Sequence, residues 1–268
     1  MARSAIMNVM VQAAMKAGRG LVRDFGEVQN LQVSVKGPGD FVSQADHRAE
    51  KTIHHELSKA RPDYGFLMEE SGAIVGTDTQ HRFIVDPLDG TTNFLHGIPH
   101  FAVSIALESQ GVLRAAVVYN PVHDELFTAE RGDGAFMNDR RMRVAARREM
   151  TDCVIGCGVP YLGRKGSDHG KFLKELQKVM ANSVGVRRNG AAALDMAWVA
   201  AGRLDGYWEE PIHPWDIGAG ILLVREAGGF VSDLAGGDKM FERHEVVCGN
   251  ERIHQQLLKT VNGAHKSA

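Results

Sequence analysis

Two aspartates break the chain at the end of an apolar run, and they limit how it can fold. Ile84, Val85, Asp86, Pro87, Leu88, Asp89 and Gly90 read as a strand entering a Pro-Asp-Gly turn, with Thr91, Thr92, Asn93 and Phe94 following. Carboxylates that converge at a strand end need a cation to balance them. The backbone N–H groups beyond the turn, at a helix start, offer a seat to an anion. A divalent metal beside a phosphate meets both needs. Strand ends and helix starts should then meet at one edge, where open α/β sheets bind their ligands.

The rest of the chain has the elements for such a sheet. Ile6, Val9, Ala13, Ala17 and Leu21 recur at helical spacing and predict a first helix over residues 1–25. Residues 31–35 look extended, and residues 36–40 form a Gly-Pro-Gly loop. Ala49, Ile53 and Leu57 mark a second amphipathic helix that begins near residues 43–46. Short strands are expected at 64–68 and 82–86, a hairpin at 101–108 and 112–119, and a further strand at 125–129. Beyond a seam at 145–152, strands at 153–156, 183–187, 204–209 and 246–248 alternate with helices at 168–180, 191–201 and 215–227, and a last helix closes the chain. This pattern predicts an α/β (α+β layered) sandwich, read as one domain over 1–268 with sub-domains 1–148 and 149–268.

Four acidic sites share one setting, an acid at a strand or helix terminus beside a turn former: Asp46, the Glu69 and Glu70 pair, Asp86 with Asp89, and Asp216 after Pro214 and Trp215. Each has an ordinary explanation taken alone. Asp-Gly is a common turn, and Pro214 with Asp216 would serve simply to open a helix. Together they form an all-oxygen set without paired Cys or His ligands, which favours Mg²⁺ or Mn²⁺ over Zn²⁺.

Composition narrows the remaining classes. A net charge of -2 gives no global attraction to nucleic acid or acidic membranes, and 44% hydrophobic with 24% charged residues is ordinary for a globular enzyme. Asn8, Gln12 and Lys16 interrupt the first helix, against a signal peptide or a membrane span. Cys153, Cys157 and Cys248 form no Cys-x-x-Cys pair and no even disulfide set, so reduced thiols in a cytoplasmic protein are expected, with Cys153 and Cys157 as buried filler. His96, His100 and His213 are expected in structural or substrate-side roles. Arg140, Arg141, Arg143, Arg147 and Arg148 read as a solvated basic surface, with an RNA or acidic-partner site as the alternative.

The ordered set Glu69-Glu70-Ser71, Asp86 to Phe94 and Trp215-Asp216 resembles the motifs of the inositol monophosphatase family, within the lithium-sensitive, Mg²⁺-dependent phosphatase superfamily. The segments 187–195 and 224–229 are similar to its bacterial branch. The resemblance runs from residue 36 to 250 and implies an alternating α-β-α-β-α sandwich of the inositol monophosphatase and fructose-bisphosphatase type, assembled as a homodimer.

Carried over by position, the resemblance implies that Glu69, Asp86 and the Leu88 carbonyl hold one Mg²⁺, and that Asp86, Asp89 and Asp216 hold a second. A third, weaker ion is implied near Glu69, within reach of the 36–40 loop. Gly90, Thr91 and Thr92 would contact phosphate. Ala192 and one of Arg187 or Arg188 would lie on the substrate side, and Glu209 would meet inositol hydroxyls. In the expected hydrolysis, Glu69 and Thr91 position an attacking water and take its proton, while Asp46 orients the Thr91 hydroxyl. Relatives acting on phosphoadenosine phosphate or histidinol phosphate tend to carry a Lys shortly after the Gly-Thr. Here Thr92 stands there, which favours myo-inositol monophosphate and leaves fructose 1,6-bisphosphate open.

Overall fold

The computed structural model describes residues 3–27, 33–37, 40–161 and 168–264. In chain order, α1 (Ala5–Phe25), β1 (Val33–Gly37), β2 (Asp40–Ser43) and α2 (Gln44–Ala60) come first. Next are β3 (Tyr64–Met68), β4 (Gly72–Ile74), β5 (Asp78–Asp89), the one-turn α3 (Thr91–Leu95), β6 (Ala102–Ser109), β7 (Val112–Asn120), β8 (Glu125–Glu130), β9 (Gly134–Met137) and β10 (Arg140–Arg141). Then follow β11 (Val154–Cys157), α4 (His169–Ala181), β12 (Gly185–Arg187), α5 (Ala192–Ala200) and β13 (Gly206–Glu209). The chain closes with α6 (Pro214–Glu226), β14 (Phe230–Ser232), α7 (Met240–Arg243), β15 (Val246–Gly249) and α8 (Glu251–Gly263).

Two large sheets result, an eight-stranded one in the order β10-β9-β8-β7-β6-β5-β3-β4 and a five-stranded one in the order β12-β11-β13-β15-β14. Side chains alternate across the first. Phe83, Val85, Val103, Ile105 and Val117 pack beneath α1 and α2, while Ile84, Ala106, Ala116 and Val118 face α5 and α6. In the second sheet, Tyr207, Val246 and Cys248 face that same helical layer, and Ile155, Trp208 and Val247 pack beneath α4 and α8. The layers therefore run α-β-α-β-α, as the resemblance implies.

The middle helices show why the pattern works. α5 and α6 are apolar nearly all round, with 192–197 and 217–224 buried, as helices covered by sheets on both sides must be. α1 and α2 have one solvent face and are amphipathic, with buried Met7, Met10, Ala14 and Leu21 against Ala49, Ile53 and Leu57.

Several boundaries differ from expectation. β5 does not stop at Asp86 but continues to Asp89, with a register shift against β6 between those residues. Strand structure extends through Gly37 and resumes at Asp40, where a loop is expected, and residues 38 and 39 of that loop lie outside the described residues. So do residues 1–2, 31–32 and the terminal 265–268, and the loop implied for the third ion falls partly there. β4, β9, β10, β14 and α7 are elements too short for periodicity to show. The chain passes from the first sheet to the second between Arg141 and Val154. Among the described residues no helix is long and apolar enough to cross a membrane.

Candidate active site

The bulge in β5 is the device on which the site depends. In a regular strand, residues 86 and 89 would point to opposite faces. Here Asp86 pairs with Ser104 and Asp89 with Ala102, so one extra residue is accommodated between them. Pro87, which has no N–H to give a ladder, lies in this irregular stretch. Both aspartates consequently line one cavity of about 270 Å³ at the end of the sheet.

Glu69 arrives beside them because β3 runs parallel to β5, with Met68 opposite Val85, and the Glu69 N–H donates to the Val85 carbonyl at 3.2 Å. Buried Glu50 of α2 braces this corner by accepting from the Glu70 N–H at 2.9 Å and from the Ser71 hydroxyl. Asp216 reaches the cavity from the start of α6, where it accepts the His213 N–H at 2.8 Å. It is thus both the helix-opening acid and a cavity residue; the ordinary and the functional explanations coincide.

Asp89 joins the two sheets. Its carboxylate accepts from the Ala192 N–H at 3.2 Å and the Ala193 N–H at 2.7 Å, capping α5 from more than a hundred residues away. The residue before α5, Ala191, has no side chain able to do this. Asp86 accepts the Leu88 N–H at 2.9 Å.

Asp86 and Asp89 are buried and both are held well above the usual carboxylate range. Burial is the larger cause for each, followed by repulsion from Glu69 for Asp86 and from Asp216 for Asp89. Such a group of acids is short of positive charge. Among the described residues no three or more His, Cys, Asp or Glu side chains form a ready-made metal cage. Mg²⁺ does not require one: it takes a few carboxylates and keeps waters or phosphate oxygens for the remaining positions. The oxygen-only, mutually repelling donors fit a hard divalent cation on those terms.

Beyond Asp89 the chain turns through Gly90, whose φ of 93° is the left-handed region open to glycine. The Thr91 hydroxyl lies 3.0 Å from Asp46 Oδ1 and 3.1 Å from the Leu88 carbonyl. Asp46 is buried at the start of α2, where it also accepts from the Ser43 N–H at 2.9 Å, and burial raises its pKa. It does not line the cavity and reaches it through Thr91. Asn93 ties the turn to the opposite wall by donating to the carbonyls of His100 and Asn189, at 2.7 and 2.8 Å.

On that wall stand Arg188, Ala192, Glu209 and Asp216, with Gly90, Thr91 and Thr92 facing them. Arg187 does not belong there. It ends β12, is exposed, and donates to the neighbouring Val186 carbonyl. Of the two arginines, only Arg188, just beyond the strand, lines the cavity.

Several cavity residues escape sequence reasoning, among them Tyr207, Asp195 and Tyr161. Tyr207 lies two residues before Glu209 on the same strand face and donates its hydroxyl to that carboxylate. Asp195 accepts from Asn189 at 2.5 Å, and burial pushes its pKa up to about 7. Tyr161 also lines the cavity, its phenol pushed up by burial. Period-two alternation from Glu209 would have found Tyr207, but nothing local marks Asp195 or Tyr161.

His96 Nδ1 lies 2.8 Å from the Thr92 carbonyl, His213 stacks on Trp215 in the cavity wall, and burial lowers His100 to about 4. All three cysteines are buried and unpaired, with the Cys153 and Cys157 thiols pushed up to about 12 by burial.

The model of the inositol monophosphatase family matches residues 2–266. The chain belongs to the inositol monophosphatase family. It is thereby an enzyme of a phosphatase family. Among its relatives, an inositol-1-monophosphatase of Mesorhizobium japonicum is 69% identical over 97% of each chain. A Nus factor SuhB of Pseudomonas aeruginosa is 42% identical, over 96% of this chain and 95% of the relative. The crystal structure of extragenic suppressor protein suhB from Bartonella henselae superposes with a TM-score of 0.95 at 65% identity, covering 99% of this chain and all of that one.

Proposed function

We propose that this family member is a Mg²⁺-dependent phosphomonoesterase that releases myo-inositol and phosphate from myo-inositol monophosphate. The observation that carries the proposal is the single cavity shared by Glu69, Asp86, Asp89 and Asp216, the Gly90–Thr92 turn, and Glu209 on the opposite wall. Glu69, Asp86 and the Leu88 carbonyl would hold one ion, and Asp86, Asp89 and Asp216 another, with Mn²⁺ as a substitute. Bound there, the metal supplies a water acidic enough to deprotonate near neutral pH and charge to offset the phosphate and the departing alkoxide.

The protein's own groups do the remaining work. The Thr91 hydroxyl, hydrogen-bonded to Asp46, has its proton directed away from the cavity and its lone pairs toward an attacking water. Glu69 is the carboxylate placed to take that water's proton. The turn at Gly90, Thr91 and Thr92 holds the phosphate, so that positioning supplies much of the acceleration. Glu209 accepts from hydroxyls of the polyol, and Arg188 offers the wall its cation. The relatives named inositol-1-monophosphatase support this substrate.

A phosphate-release panel with Mg²⁺ tests it, comparing myo-inositol 1-phosphate, fructose 1,6-bisphosphate, phosphoadenosine phosphate and histidinol phosphate. The inositol ester should be turned over with the highest kcat/KM. A preference for the nucleotide or the histidinol ester would overturn the specificity while sparing the phosphatase.

A second reading has one observation in its favour, the relatives named Nus factor SuhB. It gives the chain a further binding role through the exposed Arg140–Arg148 stretch, toward RNA or an acidic partner. Part of this stretch is already engaged: Arg147 pairs with Asp205 at 2.9 Å, and Arg141 lies over the Phe136 ring. RNA binding that weakens with salt and disappears when Arg140, Arg143 and Arg148 become Ala would support this role, and its absence at low salt would remove it.

A further inference from the structure

Tyr207 and Gly158 meet Glu209 from two sides. Tyr207 is 1% exposed, its ring packed in the apolar layer between the sheets, and a phenol so buried needs a hydrogen-bond partner. It donates to Glu209 Oε2. Tyr207 and Glu209 share a face of β13, whereas Trp208 between them points the other way, onto Phe172 of α4. Gly158 follows β11, which pairs in parallel with β13, and its N–H donates to the Trp208 carbonyl at 3.2 Å. A Cβ at Gly158 would run into the Glu209 carboxylate, at its carboxyl carbon and Oε1. One carboxylate oxygen is therefore tethered by the phenol, and the other lies over a backbone with no side chain to push it away. All three residues line the cavity.

We propose that Tyr207 is a positioning residue for substrate selection: its hydroxyl, with the gap at Gly158, fixes the Glu209 carboxylate as a ready acceptor for the hydroxyls of a polyol phosphate. This rests on the reading of Glu209 as the group that meets those hydroxyls. A glutamate side chain has several rotatable bonds, and an untethered one must be ordered at each binding event. Pre-ordering it favours substrates with hydroxyls beside the ester over esters with none. The phenol also keeps its proton: burial and the neighbouring Glu209 charge push its pKa well up, so Tyr207 remains a donor across the working pH range.

Steady-state kinetics on myo-inositol 1-phosphate and 4-nitrophenyl phosphate test this in Tyr207→Phe, Glu209→Ala and the double variant, with Mg²⁺ present. Tyr207→Phe keeps the ring and its packing. It should raise KM for the inositol ester about 10-fold, with less change in kcat, and lower its selectivity over the aryl ester. In the Glu209→Ala background the same substitution should add nothing. Gly158→Ala, which leaves the phenol in place, should raise the same KM by displacing the carboxylate. Equal losses from Tyr207→Phe in both backgrounds, a parallel fall on both esters, or no change at all would overturn the proposal. If Glu209→Ala itself leaves selectivity untouched, the reading of Glu209 fails and the proposal with it. If Glu209→Ala lowers selectivity while Tyr207→Phe is silent, only the proposal fails.

Discussion

The two walls of the cavity are built on opposite principles. The wall on the eight-stranded sheet is local: Glu69, Asp86, Leu88, Asp89, Gly90, Thr91 and Thr92 come from two adjacent parallel strands and the turn that follows. The wall on the five-stranded sheet is assembled from Gly158, Arg188, Ala192, Tyr207, Glu209 and Asp216, which come from separate strands, helices and connections. The first concentrates buried carboxylates, and it is the wall we assign to metal and phosphate. The second offers a cation, a tethered carboxylate and small residues; apart from Asp216, which faces the proposed metals, we assign to it the choice of alcohol. Function lives in the site rather than in the fold, so the two walls can be tested separately. Asp89 and Asn93 hydrogen-bond across from one wall to the other.

Asp89→Asn should produce the largest change, because Asp89 both faces the proposed metals and caps α5 on the other wall. Turnover of inositol monophosphate should fall about a thousandfold or more. Circular dichroism should still report a folded protein, since the amide keeps one oxygen for the Ala193 N–H. Near-normal turnover would remove Asp89 from the chemistry.

The second wall should respond differently. Arg188→Ala should raise KM about fivefold to tenfold with a smaller change in kcat, whereas Arg187→Ala should stay within about twofold of wild type in both. Equal effects from the two arginines would show that Arg188 has no privileged place at the cavity.

A further effect is on stability rather than turnover, and its sign follows from Asp195. Its pKa is raised from an ordinary 3.8 to about 7, so between those values the folded form binds a proton that the unfolded chain has lost. This contribution favours folding below about pH 4 and is lost as pH rises toward about 7, by on the order of 4 kcal/mol. Asp195→Asn removes the loss while its side-chain oxygen still accepts from Asn189. Thermal melts of the variant and wild type should diverge in the variant's favour from pH 4 to 7. Parallel curves would contradict the assignment.

The difference between the walls also decides what was legible in the sequence. The acids of the first wall are close together in the chain and sit beside turn formers, so local pattern suffices to gather them. Residues 82–86 read as a short apolar strand and 215–227 as a helix, but that each is covered on two sides emerges only from the packing. What local pattern misses is the bulge: Pro87 and Leu88 read as the start of a turn, but β5 carries on through them and its register shift sets both aspartates on one face. On the second wall, Arg187 and Arg188 are chemically alike, and only their positions on β12 and just beyond it separate them. Asp195 resembles any acid in a first helical turn until its burial is known. Long-range bonds such as Asp89 to Ala193 have no local signal at all.

The central claim is that the buried, mutually repelling acids of the first wall form a divalent metal site. Titration calorimetry of Mg²⁺ into EDTA-stripped protein at pH 7, repeated in buffers of different ionisation enthalpy, measures binding and proton release together. Burial raises Asp86 and Asp89 above the ordinary carboxylate range, together with repulsion from Glu69 for Asp86 and from Asp216 for Asp89. Saturable Mg²⁺ binding should therefore expel protons, giving heats that depend on the buffer, and Asp86→Asn should weaken the binding sharply. Buffer-independent heats, or undiminished binding in Asp86→Asn, would contradict the account.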